Sequence, residues 1–209
     1  MRYEKEFSRK ELNETGKKIL STAETLFLER GYNAVTTRDI ARVAEVNLGL
    51  IPYYFGSKEN LALMIVKNMN DRWYTEAFDI YASNLNSAEK LYTYTVLIWE
   101  VMDKPSMNFM FDFMASCPAS AQASDTFVEM SWEVIREYRL PVSPVENACY
   151  ISAMKGAERA LVLRRLELNI SFQYIANLIV SNYFYNIGLS DKTIAGILSR
   201  CEEFLKKHK

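Results

Sequence analysis

Only one histidine, His208, occurs in the 209 residues, and only three cysteines, Cys117, Cys149 and Cys201, all far apart. Without a CxxC pair or a histidine in mid-chain, neither a Cys/His zinc site nor a Cys–His nucleophilic pair is expected. Breakers are scarce as well, with 7 Gly and 5 Pro. That excludes collagen-like and linker-like chains, and an all-β sandwich would need turn residues about every 8–12 positions. The longest purely apolar run, Leu61 to Val66, falls far short of the ~20 residues that cross a bilayer. The first eighteen residues are charged throughout and carry no apolar stretch of the signal-peptide kind. These absences point to a soluble protein of a reducing cytoplasm, with no membrane partner, metal or cofactor.

What is present is apolar and helix-forming. Hydrophobic residues make up 49% and charged residues 24%, enough apolar surface to exclude intrinsic disorder. The net charge of −1 argues against a nonspecific polyanion binder, but it is unevenly spread. Residues 1–72 hold 12 Lys/Arg against 10 Asp/Glu, and residues 73–209 hold 13 against 16. The small basic excess matters only if a motif falls in the first 72 residues.

Helical periodicity places a first helix over about 15–30, with Ile19, Leu20, Ala23, Leu26 and Phe27 on one face and Gly31 ending it. Thr36 followed three positions later by Asp39 is a capping-box spacing, opening a helix of about two turns. Asn47 can cap a third short helix, LGLIPYYF, and Ser57 a long fourth reaching about Ala82. Six more helices are expected. The fifth ends before Pro105, the sixth covers MNFMFDFMA, and the seventh spans about 121–139, closed by Leu140-Pro141 and Ser143-Pro144. The last three span about 145–166, 171–186 and 191–207. No strand is expected. The fold class is all-α: an N-terminal three-helix helix-turn-helix domain over 1–58, with a flexible arm, and a larger helical domain over 59–209.

Two short helices joined by a tight turn, Thr37 to Ala44 and Leu48 to Tyr54, form a helix-turn-helix pattern. Ala41, Val46 and Ile51 suit the helix crossing, and Tyr53 and Tyr54 an outward face. The stretch from Ile19 to Ile65 resembles the DNA-binding domain of TetR-type transcriptional regulators, the TetR/AcrR family. The matching residues are Ala23, Leu26, Phe27, Gly31, Thr36-Thr37, Ile40-Ala41, Val46, Gly49, Tyr53, Phe55, Ser57-Lys58-Glu59 and Leu61.

The resemblance implies that Thr36, Thr37, Arg38, Leu48, Gly49, Leu50, Tyr53, Tyr54 and Lys58 contact DNA. Thr36 can contact a phosphate or only cap its helix. Arg38 can reach a base edge or pair with Asp39 or Glu45. Tyr53 and Lys58 match phosphate contacts. Leu48 and Leu50 can touch thymine methyls or pack the helix, and Gly49 permits close backbone approach. Pro52 departs from the family, which often has tyrosine there; it is expected to remove one helical hydrogen bond and the contact normally made. Arg2, Lys5, Arg9 and Lys10 can extend a basic arm.

For residues 59–209 the resemblance implies effector binding and dimerisation, hence a homodimer on a near-palindromic double-stranded operator. The interface would lie on the last long helices, with Ala153, Ala157, Leu161, Ile175, Leu178, Ile179 and Asn182. A mainly apolar or aromatic small-molecule effector would be lined by Trp73, Phe78, Trp99, Met102, Phe109, Phe113, Met130, Tyr150 and Met154, with Glu129 beside them. Each of these residues is also explicable as ordinary core. Repression released by the effector is the expected outcome. The rival readings are a ligand-independent helix-turn-helix DNA binder and a helical enzyme, though no phosphate loop or nucleophile elbow supports the latter.

Overall fold

A computed structural model describes residues 12–81, 84–102, 108–117 and 125–207, with side chains throughout except at 70, 73–81, 101–102 and 125. Among these residues there are only helices and connecting turns. They are α1 (Glu14–Arg30), α2 (Thr37–Val43), α3 (Leu50–Phe55), α4 (Lys58–Tyr81), α5 (Ser87–Met102) and α6 (Asn108–Ser116). There follow α7 (Asp125–Glu137), α8 (Pro144–Leu163), α9 (Arg165–Leu168), α10 (Phe172–Asn186) and α11 (Asp191–Lys207). The chain divides into two compact units, one of Met1–Met69 with Lys104–Ser120, the other of Asn70–Asp103 with Ala121–Lys209. The division drawn after residue 58 follows the end of the motif; the compact units instead give the start of α4, and all of α6, to the first.

In the first unit α1 begins because the Asn13 side chain accepts the Gly16 N–H at 3.0 Å. It ends at Gly31, whose N–H reaches Phe27 O and whose φ is 81°. The α2 capping box forms in full: Thr36 Oγ1 accepts the Asp39 N–H at 3.2 Å, and the Asp39 carboxylate accepts the Thr36 N–H at 3.0 Å. Ile19, Ala23, Phe27, Ile40, Ala44, Ile51, Phe55, Leu61 and Ile65 are sealed from solvent and make the core that fixes α2 against α3. Phe109 and Phe113 of α6 complete it, against Phe27 at 6.2 Å and Tyr32 at 5.1 Å between ring centroids.

The hydrogen bonds from Thr36, side chain first and then backbone, hold the Asp39 carboxyl below its ordinary value of 3.8. A depressed folded value means the cap's contribution is complete above pH 3.8 and fades as pH falls toward the lower folded value. Amide exchange at the first turn of α2 is therefore expected to lose protection as pH is lowered from 5 to 3. The Asp39→Asn variant should show no such pH dependence; an equal dependence in both refutes the assignment.

In the second unit α10 is central, packing on α5, α8 and α11. It buries Ile175, Ala176, Ile179, Val180, Tyr183 and Phe184. A buried polar chain ties three helices: Tyr183 OH donates to Asn147 Oδ1 at 2.8 Å, and Asn147 Nδ2 donates to Ser131 Oγ at 3.0 Å. Because every polar atom in it is partnered, the chain fixes helix register at little cost.

Two expectations need correction here. Ser143-Pro144 does not close α7; Ser143 caps α8, with Pro144 in the first turn, where its missing N–H would have no partner anyway. Nor does the eighth helix run on to Leu166. It breaks at Arg164, and the four-residue α9 ends at Asn169, whose φ of 51° is a left-handed conformation that short polar side chains tolerate. Among the described residues, no helix is long and apolar enough to cross a membrane.

Candidate nucleic-acid interface

The turn between α2 and α3 is built by backbone hydrogen bonds from Ala44 N–H to Ile40 O at 2.8 Å and from Val46 N–H to Ala41 O at 3.0 Å. Glu45 takes a φ of 53° within it. Asn47 Oδ1 then accepts the Gly49 N–H at 2.9 Å, and the Ile51 N–H reaches Leu48 O at 3.2 Å. Pro52 is thus the third residue of α3, among the first-turn positions whose N–H groups have no intrahelical acceptor. Contrary to expectation, it removes no α-helical hydrogen bond.

Ile51 and Phe55 turn inward and are fully buried. Leu48 keeps 41% of its surface exposed, Pro52 is exposed, and Tyr53 keeps 65%. Tyr54 is half-buried, its hydroxyl donating to Asn13 Oδ1 at 2.9 Å and its ring set edge-on to Tyr53 at 5.0 Å. Leu50 and Thr37 are half-buried and Gly49 is exposed. An open concavity of about 510 Å³ lies between Thr37, Asn47, Leu48, Pro52 and Lys58.

Arg38, the second residue of α2, is exposed. The two acids expected as its partners are engaged elsewhere: Asp39 with Arg42, and Glu45 with Lys18, each at 3.7 Å. Thr36 spends its hydroxyl proton on Asp39 Oδ2 at 2.6 Å. Lys58 is also committed within the chain. Its ammonium donates to Tyr32 O and Val35 O, both at 3.0 Å, and sits 4.0 Å from the Tyr32 ring centroid. Burial pushes its pKa down. Two of its three donors therefore pin the loop leading into Thr36. Tyr32, whose hydroxyl donates to Glu59 at 3.4 Å, was not singled out from sequence; an aromatic after a helix-ending glycine was its only signal.

The residues expected to line an effector pocket do not all fall in one unit. Phe109 and Phe113 belong to the first. In the second, Trp99, Met130 and Met154 are buried, Tyr150 is half-buried and Glu129 is exposed. The side chains of Trp73, Phe78 and Met102 lie outside the described residues, as does the whole N-terminal arm. A feature missed from sequence is Glu158, 5% exposed, whose carboxylate accepts from Trp99 Nε1 at 2.8 Å and Lys155 Nζ at 2.6 Å. Of the expected interface residues, Ala153, Ala157, Leu178 and Asn182 are exposed, Leu161 is half-buried, and Ile175 and Ile179 are buried within the chain.

Residues 19–65 match the family model described as bacterial regulatory proteins, tetR family. The chain is similar to the HTH-type transcriptional regulator QacR of Staphylococcus aureus, 36% identical over 80 residues, which are 38% of this chain and 43% of that protein. It is likewise similar to the HTH-type transcriptional repressor KstR2 of Rhodococcus jostii, 35% identical over 85 residues, 41% of this chain and 42% of that one. The chain thus spans less than half the length of these curated relatives. The fold is shared more widely. The crystal structure of RolR without ligand aligns with a TM-score of 0.64 over 88% of this chain and 96% of that one, at 16% identity. RolR in complex with resorcinol aligns with a TM-score of 0.65 over 89% and 93%, at 14% identity. Residues 19–65, which carry the capped helix-turn-helix, are thus similar to the tetR family of bacterial regulatory proteins.

Proposed function

We propose that the chain is a sequence-specific DNA-binding transcriptional repressor of the cytoplasm, acting as a homodimer on a near-palindromic operator and released by a small, mainly apolar or aromatic effector. The observation that carries the DNA reading is Arg38, an exposed guanidinium with its neighbouring acids paired elsewhere, on the helix that precedes the exposed Leu48 and the exposed Tyr53 of α3. An arginine so placed can grip guanine O6 and N7 together. Dimerisation is supported by the surface of α8 and α10, where Ala153, Ala157 and Leu178 stand exposed with Tyr174 and Tyr185. A two-fold axis there would set recognition helices ~34 Å apart. The effector reading is supported by fold likeness to a protein solved with resorcinol and by the aromatic content of the second unit. Linkage then makes effector and operator weaken each other by the same factor.

The test begins with a duplex retained by the protein from a randomised pool, followed by fluorescence anisotropy against a scrambled duplex. Arg38→Ala is expected to weaken the retained duplex about tenfold to a hundredfold, the loss of one bidentate base contact of about 1–3 kcal/mol. Equal weak binding of both duplexes, with a steep salt slope, would leave backbone contact alone and refute sequence-specific regulation. Sedimentation showing only monomer on and off DNA would refute the dimer.

A further inference from the structure

The segment that faces DNA in the reading above contains no arginine, lysine or glutamine: from position 47 to 55 it runs Asn-Leu-Gly-Leu-Ile-Pro-Tyr-Tyr-Phe. Its few polar side chains are nearly spent. Asn47 Oδ1 holds the Gly49 N–H, and the Tyr54 hydroxyl is given to Asn13. What remains outward is the Leu48 side chain, the Pro52 ring and Tyr53. Leu48 and Pro52 border the open concavity, while Lys58 at its edge turns its ammonium to the carbonyls of Tyr32 and Val35. Apart from the Asn47 amide, already held through its Oδ1, this surface offers no side chain that forms the paired hydrogen bonds distinguishing guanine or adenine. The one apolar mark in the major groove is the C5-methyl of thymine.

Resting on the DNA-binding reading, we propose that the half-site is selected by thymine methyl groups seated against Leu48 and Pro52, with Arg38 alone supplying charged base readout. Pro52 is then a specificity residue of this chain. The rigid ring that replaces the family's frequent tyrosine exchanges a hydrogen-bonding contact for an apolar one, and does so without disturbing α3, because its missing N–H lies in the first turn. Leu48, placed just before the helix proper, keeps its side chain partly open to the methyl it meets.

The experiment uses the full chain and the duplex it retains from the randomised pool, resynthesised with uracil for thymine. That change deletes only methyl groups and leaves every hydrogen-bonding edge intact. The uracil duplex is expected to bind at least tenfold more weakly than the thymine duplex, and the retained sequences to be thymine-rich at the positions next to the Arg38 contact. Leu48→Ala and Pro52→Ala should weaken the thymine duplex while binding the uracil duplex as wild type does, with unchanged circular dichroism. Equal wild-type affinity for thymine and uracil duplexes, both still preferred over scrambled DNA, overturns the methyl readout and leaves the regulator reading standing. A pool with no enriched sequence overturns both. Since the uracil arm needs no variant, a misfolded substitution does not blunt it.

Discussion

Glu158→Leu is expected to destabilise the second unit by about 3–5 kcal/mol, the scale for breaking a buried ion pair from one side. The carboxylate sits between two donors, Lys155 Nζ at 2.6 Å and Trp99 Nε1 at 2.8 Å. Lys155 has 18% of its side chain exposed, with its ammonium 4.8 Å from the Phe127 ring centroid. Trp99 is stacked on Phe172 at 5.4 Å. Deleting the acid leaves a largely buried ammonium over the Phe127 ring without its counter-charge and orphans the indole N–H of the buried Trp99. Glu158→Gln keeps an oxygen for Trp99 but not the charge, so a smaller loss is expected. The double variant Lys155→Met/Glu158→Leu removes both charges and should recover most of the stability, since desolvating an ion pair offsets much of its attraction. Urea unfolding at fixed protein concentration, followed by tryptophan fluorescence, measures all three. If the double variant is no more stable than Glu158→Leu, the pair is not what holds this region.

That cluster was not legible in the sequence, and the reason is general. Local signals read well: Gly31 after an apolar stripe, Thr36 three residues before Asp39, and the charged ends of Asp191–Lys207 each identify their element from adjacent residues alone. Long-range partners do not. Lys58 at a helix start opposes the helix dipole and so reads as an anion contact, yet folding brings it the carbonyls of Tyr32 and Val35, more than twenty positions away. Phe109 and Phe113 read as part of a pocket in the larger domain because they lie within its stretch of sequence, whereas they complete the core around Phe27 and Tyr32. A proline is ambiguous in the same way. Pro144 reads as a stop until the capping Ser143 shows it to be a start, and Pro52 reads as a breaker until the first residue of α3 is known.

The second large effect is expected at Gly31. Its φ of 81° and ψ of 158° lie in a region essentially reserved for glycine, where any other residue costs about 1–3 kcal/mol. A Cβ there would also stand 3.0 Å from Asp112 Oδ2 of α6. Gly31→Ala should therefore weaken the first unit by about 2–3 kcal/mol, most of it backbone strain. The converse substitution sets the scale. Gly196→Ala, in the middle of α11 with nothing within 4 Å of the added carbon, should stabilise by up to about 1 kcal/mol. Two contributions at Gly31 can be told apart by adding Asp112→Ala, which removes the close contact and leaves the strain, so only a minor recovery is expected. The damage should travel. Gly31 sets the entry to Tyr32 and Val35, the two carbonyls that Lys58 holds, and the chain then passes directly into the Thr36 cap of the helix that presents Arg38. Amide exchange in Gly31→Ala is thus expected to rise at the C-terminal turn of α1 and the first turn of α2 together, with affinity for the retained duplex falling in parallel. Wild-type exchange at both turns would show that the glycine is merely tolerated and that the loop from 31 to 36 is positioned by Lys58 alone.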